Sequence, residues 1–155
     1  MIRMILKFWG LLSVIIILAL PVQAQFQPGD IVPVLGDELI DIFNGTTMDG
    51  IYKRPREQSG SNQFTETFHT NGSTTYHEGN IKDKGTWNIQ ENTICFRYEG
   101  PLSGGYSCFR VFKSGTCYYS FAPEAVIGNT PIDPNLWSVK TIIRGDVSSC
   151  DNLVS

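Results

Sequence analysis

Gly85-Thr86-Trp87-Asn88-Ile89-Gln90-Glu91-Asn92-Thr93-Ile94-Cys95-Phe96-Arg97-Tyr98 alternates apolar and polar side chains on both sides of a polar pair. A period of two sends successive side chains to opposite faces of a strand, so this stretch predicts two strands, Gly85 to Gln90 and Thr93 to Tyr98, joined at Glu91-Asn92. A two-residue turn fixes the partners across the ladder. Ile89 then faces Ile94 and Trp87 faces Phe96, which makes one face of the hairpin wholly apolar. The other face carries Thr86, Asn88, Cys95 and Arg97.

Extending the pattern forward, Gly105 to Lys113 predicts a third strand. If Cys95 lies opposite Cys108, Ile94 faces Phe109 and the apolar face continues through Val111, so the register that permits a disulfide also extends the core. Cys117 is then left for Cys150, a bridge closing a loop of about thirty residues and contributing roughly 3 kcal/mol. Pairing of Cys108 with Cys117 fits poorly, because a Ser114-Gly115 turn sets Phe112 across from Cys117. The four cysteines lack a close C-x-x-C pair, which favours disulfides over a metal site, and no metal or cofactor is expected.

Outward from this centre the same alternation predicts further strands at Gly50 to Arg54, Gln63 to His69, Ser73 to Gly79, Thr116 to Phe121 and Trp137 to Arg144, with a proline-rich loop over Pro123 to Pro134. Short connections imply an antiparallel meander. Before it, Gly36 to Gly45 predicts a short amphipathic helix, with Asp37 as N-cap and Leu39, Ile40 and Phe43 on one face, packed over an open end or face of the sheet. The expected fold is mainly β: an antiparallel meander closing into a small lipocalin-like barrel, which removes exposed edges, with a two-sheet sandwich as the alternative.

Residues 1–24 combine Arg3 and Lys7, an apolar run from Phe8 to Leu20 and Val22-Gln23-Ala24, the pattern of a signal peptide cleaved after Ala24. The alternative is an uncleaved anchor, although the apolar run is short for a membrane span. Residues 25–35 form an extended lead-in, and 36–155 a single β domain. The chain's net charge of −3 becomes −5 once the leader is gone, which disfavours nucleic acid. A periplasmic or secreted monomer is expected, touching a membrane only through the leader if that is retained.

The helix with Asn44-Gly45-Thr46, Gly85-Thr86-Trp87, Cys95-Phe96-Arg97 and Cys108-Phe109-Arg110-Val111 together resemble a family of small exported alphaproteobacterial domains of unassigned function. The likeness covers roughly residues 36 to 122. It implies a periplasmic home and brings no catalytic residues with it. Gly85-x-Trp87 also echoes the lipocalin signature, but mid-chain rather than on the first strand, so that similarity is one of shape.

One constellation could carry chemistry. Asn71-Gly72 predicts a type I′ turn, which sets Glu66 opposite His77 on the face of Phe64 and Phe68. Inside a barrel, burial and pairing would shift both pKa values; near its mouth the two would form an ordinary exposed cross-strand pair. His69 is expected on the other face with Thr67, Thr74 and Tyr76. Arg97 and Arg110 form a solvated outer face or an anion-holding pair. Arg144-Gly145-Asp146 is accounted for by a strand end and turn, and Asn44-Gly45-Thr46 and Asn71-Gly72-Ser73 are glycosylation acceptors only in a eukaryotic secretory route.

Because acid, base, nucleophile and metal ligands are sparse, the leading expectation is a non-catalytic module binding a protein or envelope partner through its outer face and loops. A carrier with a small apolar ligand against Trp87, Phe64 and Phe68 is the alternative, and an enzyme using Glu66 and His77 the least favoured.

Overall fold

A closed antiparallel barrel of eight strands, with one helix, is the architecture of the computed structural model, which describes residues 31–146. The expected leader, most of the lead-in and Cys150 lie outside the described residues. A short strand β1 (Val32–Pro33) precedes helix α1 (Gly36–Phe43). Seven strands then run as a meander: β2 (Thr47–Tyr52), β3 (Gln63–Phe68), β4 (Ser73–Glu78), β5 (Ile81–Gln90), β6 (Thr93–Tyr98), β7 (Tyr106–Ser114) and β8 (Cys117–Phe121). After a small hairpin, β9 (Val126–Ile127) with β10 (Thr130–Pro131), the last strand β11 (Val139–Ile143) inserts between β8 and β2 and closes the ring.

The central hairpin has the expected register, Ile89 opposite Ile94 and Trp87 opposite Phe96, and Cys95 pairs with Cys108 as Ile94 pairs with Phe109. The Cys95–Cys108 disulfide spans these two strands. At Gly85 the strands come so close that an added Cβ would stand 2.3 Å from the Arg97 carbonyl oxygen, so only glycine fits. Both β2 and β5 start earlier than expected, at Thr47 and Ile81, because Thr47-Met48-Asp49 and Lys82-Asp83-Lys84 continue the alternation despite their polar residues.

Inward side chains fill the two ends of the barrel differently. At one end α1 acts as a plug, its Leu39, Ile42 and Phe43 packed with Met48, Phe68, Trp87, Ile94, Phe96, Val111 and Tyr118. At the other end Phe64, Tyr76, Leu102 and Val139 form a smaller cluster. A third cluster lies outside the barrel, where residues 122–138 cover Phe112, Cys117, Tyr119 and Phe121. The proline-rich segment is therefore a flap over an apolar outer face rather than a free loop.

Four local expectations are corrected. Helix α1 begins at Gly36 and its N-cap is Leu35, without a side-chain cap; the Gly36 amide instead donates to Asn92 Oδ1 at 3.0 Å, tying the helix to the β5–β6 turn. Ile42, not Ile40, shares the buried face, and Ile40 is exposed. The β7–β8 turn is Gly115-Thr116, with Gly115 at φ 58, so Ser114 rather than Phe112 faces Cys117.

The fourth correction is the β3–β4 hairpin. It turns over three residues rather than two, with only Gly72 in the left-handed region at φ 80. The Gly72 amide donates to the His69 carbonyl at 3.0 Å and the His69 amide to the Ser73 carbonyl at 2.9 Å. Asn71 Oδ1 accepts from the Ser73 amide and hydroxyl at 3.0 and 2.7 Å, a local arrangement that holds Asn71 out of a type I′ turn. The extra residue moves the register by one, so Glu66 faces Tyr76 and Thr65 faces His77.

The disulfide closes a loop with a sequence separation of 13 residues and restrains the unfolded chain. Replacing Cys95 and Cys108 together by Ala is expected to lower stability by about 2–3 kcal/mol in urea unfolding. Coincident unfolding curves would show that the bridge adds nothing.

Candidate functional site

Between the helix plug and the smaller cluster the barrel is hollow. A cavity of about 300 Å³ is walled by the inward rows of β2, β3, β6, β7, β8 and β11, with Phe43 at its floor and Arg56 and Leu102 near its mouth. Gly104, Gly105 and Ser107 line the same cavity and are exposed, so it opens to solvent beside the β6–β7 loop. Asp83 shapes that rim: its carboxylate accepts from the amides of Gly100 and Leu102, both at 2.8 Å, and folds Leu102 inward.

Aromatic rings dominate the wall. Phe64 stacks on Tyr76 with ring centroids 5.3 Å apart, Phe96 is stacked with Tyr98, and Phe68 meets Phe43, Phe96 and Trp87 at tilted or edge-on angles. Of the apolar residues proposed for ligand contact, Phe64 and Phe68 line the cavity. Trp87 stands behind Phe68 and donates its indole N–H to the His69 carbonyl at 3.1 Å.

Glu66 projects into this hollow from β3 and is 4 % exposed. Tyr98 Oη donates to its Oε1 at 2.7 Å and Thr74 Oγ1 donates to the same oxygen at 2.8 Å. Oε2 receives neither of these bonds. Burial pushes the Glu66 pKa up from 4.5 to about 7, and the two hydrogen bonds only partly pull it back. The same burial, reinforced by the Glu66 charge, raises the Tyr98 hydroxyl well above its ordinary value, so it stays a neutral donor.

A second polar group sits at the mouth. Arg56 Nη1 donates to Tyr52 Oη at 3.0 Å, the Tyr52 and Tyr76 hydroxyls lie 3.1 Å apart, and Tyr76 donates to Glu78 Oε2 at 2.8 Å. Glu78 is fully buried; Ser59 donates to its Oε1 at 2.6 Å, and Arg56 Nε stands 3.7 Å from its Oε2. Desolvation works against the Arg56 charge, but Tyr52, Tyr76 and Glu78 outweigh it and hold its pKa up. Burial raises Tyr52 and Tyr76 as well. Glu78 thus has a cation and two hydroxyls turned toward it, whereas Glu66 has hydroxyls alone.

The structure does not bring Glu66 and His77 together. The one-residue register change turns Thr74, Tyr76 and Glu78 inward and leaves His77 exposed outside the barrel, across from Lys82. His69 is also exposed, with Nε2 3.0 Å from Thr75 Oγ1. Among the described residues no three His, Cys, Asp or Glu side chains gather as metal ligands would. Arg97 is exposed, and Arg110 donates to Asn129 Oδ1 at 2.7 Å. Arg144 is held by Asp49, whose pKa the Arg144 hydrogen bond lowers, so the Arg144-Gly145-Asp146 tripeptide is part of a strand-end ion pair.

Tyr98 was legible as the next inward residue after Ile94 and Phe96; Thr74 and Tyr76 were hidden by the turn, and Arg56 and Ser59 lie in a loop without a pattern. Compared with family models, with curated proteins and with solved structures, the chain finds no match.

A carboxyl with a raised folded-state pKa holds its proton longer when folded, so its contribution is intact below about 4.5 and is lost as pH rises toward about 7. For a shift of this size the loss is roughly 3 kcal/mol. Urea unfolding of wild type and Glu66→Gln between pH 4.5 and 8 is expected to show wild type weakening relative to the variant across that window. Parallel profiles would mean that Glu66 titrates as an exposed glutamate does.

Proposed function

We propose that this chain is an exported binding protein that carries one small, mostly apolar ligand inside its barrel. The observation that supports it is the hollow of about 300 Å³ lined by Phe43, Met48, Phe64, Phe68 and Phe96 and open beside Ser107. A volume at the low end of ligand pockets, largely apolar with a few convergent polar groups, is what a site for a small organic molecule requires. The expectation of a partner on the outer face rested on sparse catalytic chemistry alone, and the interior now offers a more specific reading. A general acid–base pair is not assembled, because Glu66 and His77 lie on opposite faces of the sheet.

Calorimetry with 2-phenylethanol as a probe tests the reading. Saturable one-to-one binding with a negative heat-capacity change is expected, since apolar surface is buried. Ser107→Trp narrows the mouth from an exposed position and is expected to weaken binding at least tenfold with an unchanged melting temperature. Absence of saturable heat in wild type would show that the interior takes no such guest.

A further inference from the structure

The polar groups facing the cavity are unequally matched. The hydroxyls that touch the buried carboxyls are already directed: Tyr98 and Thr74 donate to Glu66, and Tyr76 donates to Glu78. Arg56 spends Nη1 on Tyr52 and lies beside Glu78 at the mouth. Among the described residues Glu66 meets no cation, and the two hydrogen bonds it accepts from them fall on Oε1. The interior therefore presents a carboxyl oxygen as acceptor and aromatic faces around it, and the group that complements both is a hydrogen-bond donor carrying positive charge. An ammonium attracts a carboxylate and the faces of nearby rings alike, and does so more strongly where water is displaced.

We propose that the ligand is a small arylalkylamine whose ammonium pairs with Glu66 Oε2 while its hydrocarbon lies among Phe64, Phe68 and Phe96. This rests on the barrel interior being a ligand site. The class follows from size as well as charge: about 300 Å³ suits a single ring with a short chain and has no room for a diacyl lipid. An organic anion is disfavoured at depth by Glu66, although Arg56 could meet one at the mouth.

Binding of such an amine requires Glu66 to be ionised, so affinity follows its titration. The groups facing it are Tyr98 from β6, Tyr52 from β2, Thr74 and Tyr76 from β4 and, further toward the mouth, Arg56 and Glu78. The tyrosine hydroxyls are all raised and stay neutral across the accessible range. Asp83, the inward acid of β5, is occupied by the Gly100 and Leu102 amides. Glu66 is therefore the group whose charge changes against the ligand, pushed as it is to a pKa of about 7.

Calorimetric titrations with phenethylamine, 2-phenylethanol and 3-phenylpropionate separate the possibilities. Phenethylamine is expected to bind at least tenfold more tightly than 2-phenylethanol at pH 7.5, and its affinity to rise more than tenfold from pH 5.5 to 7.5 while that of the alcohol stays flat. Glu66→Gln, checked for an intact melting transition, is expected to remove the amine's advantage over the alcohol and its pH dependence. Equal binding of amine and alcohol by wild type, or tightest binding of 3-phenylpropionate, would overturn the amine while leaving an interior ligand site standing. If none of the three probes binds, both readings fall; the wild-type pH series decides even if the variant does not fold.

Discussion

A meander of antiparallel strands becomes a barrel only when its two edges meet, and here they meet through β11. That strand pairs with β8 on one side, Tyr118 to Ser120, and with β2 on the other, Met48 to Tyr52. Closure pairs both edges of the eight-strand ring, β2 and β8, so neither is left as a template for another chain. It also forces every inward side chain of eight strands into one enclosed space, which residues must either fill or leave empty. Helix α1 and the rings of Phe43, Phe68 and Trp87 fill one end, and Leu102, folded in by Asp83, partly caps the other. The hollow between them is what the ring geometry leaves once both ends are packed.

Keeping that hollow calls for support from elsewhere, because walls facing empty space lose the contacts a packed core would supply. The support lies on the outside. The Cys95–Cys108 bridge crosses β6 and β7 on their outer face, and residues 122–138 lay a second apolar layer over β7, β8 and β11. Trp137 belongs to this layer, where Lys53 and Lys140 stand over its ring. Stability from outer layers and a bridge leaves the interior free to be shaped by something other than packing.

Much of this was legible in the chain. Strict alternation from Gly85 to Val111 was enough to give the central three strands, their register and one disulfide, because each pairing kept apolar residues on one side. Closure was legible only as an economy, since nothing in Val139 to Ile143 says which two strands it will join. The site was half legible. Glu66, Phe64 and Phe68 were placed together correctly on one face of β3, but the partner across from Glu66 depended on a single turn. Asn71-Gly72 is the common signal for a two-residue turn, yet Asn71 bonds to Ser73 instead, and the added residue exchanges His77 for Tyr76. One residue of slip flips a whole strand, and with it an acid–base pair becomes a carboxyl among hydroxyls.

That exchange is also why the two buried glutamates differ in meaning. Burying a carboxylate is costly unless something compensates the charge, and a structural site supplies the compensation from its own residues. Glu78 fits this description: Arg56, Ser59 and Tyr76 all turn toward it, and it ties the loop after β2 to β4 at the barrel mouth. Glu66 does not fit it. A leucine or methionine there would continue the row of Phe64 and Phe68 into the hollow at the cost of leaving the Tyr98 and Thr74 hydroxyls without their acceptor, whereas the carboxyl sits in an aromatic surround with neutral donors on one oxygen only. A group whose burial raises its pKa to about 7, beside space large enough for a guest, is relieved either by taking up a proton or, on the reading proposed above, by a cation that enters that space.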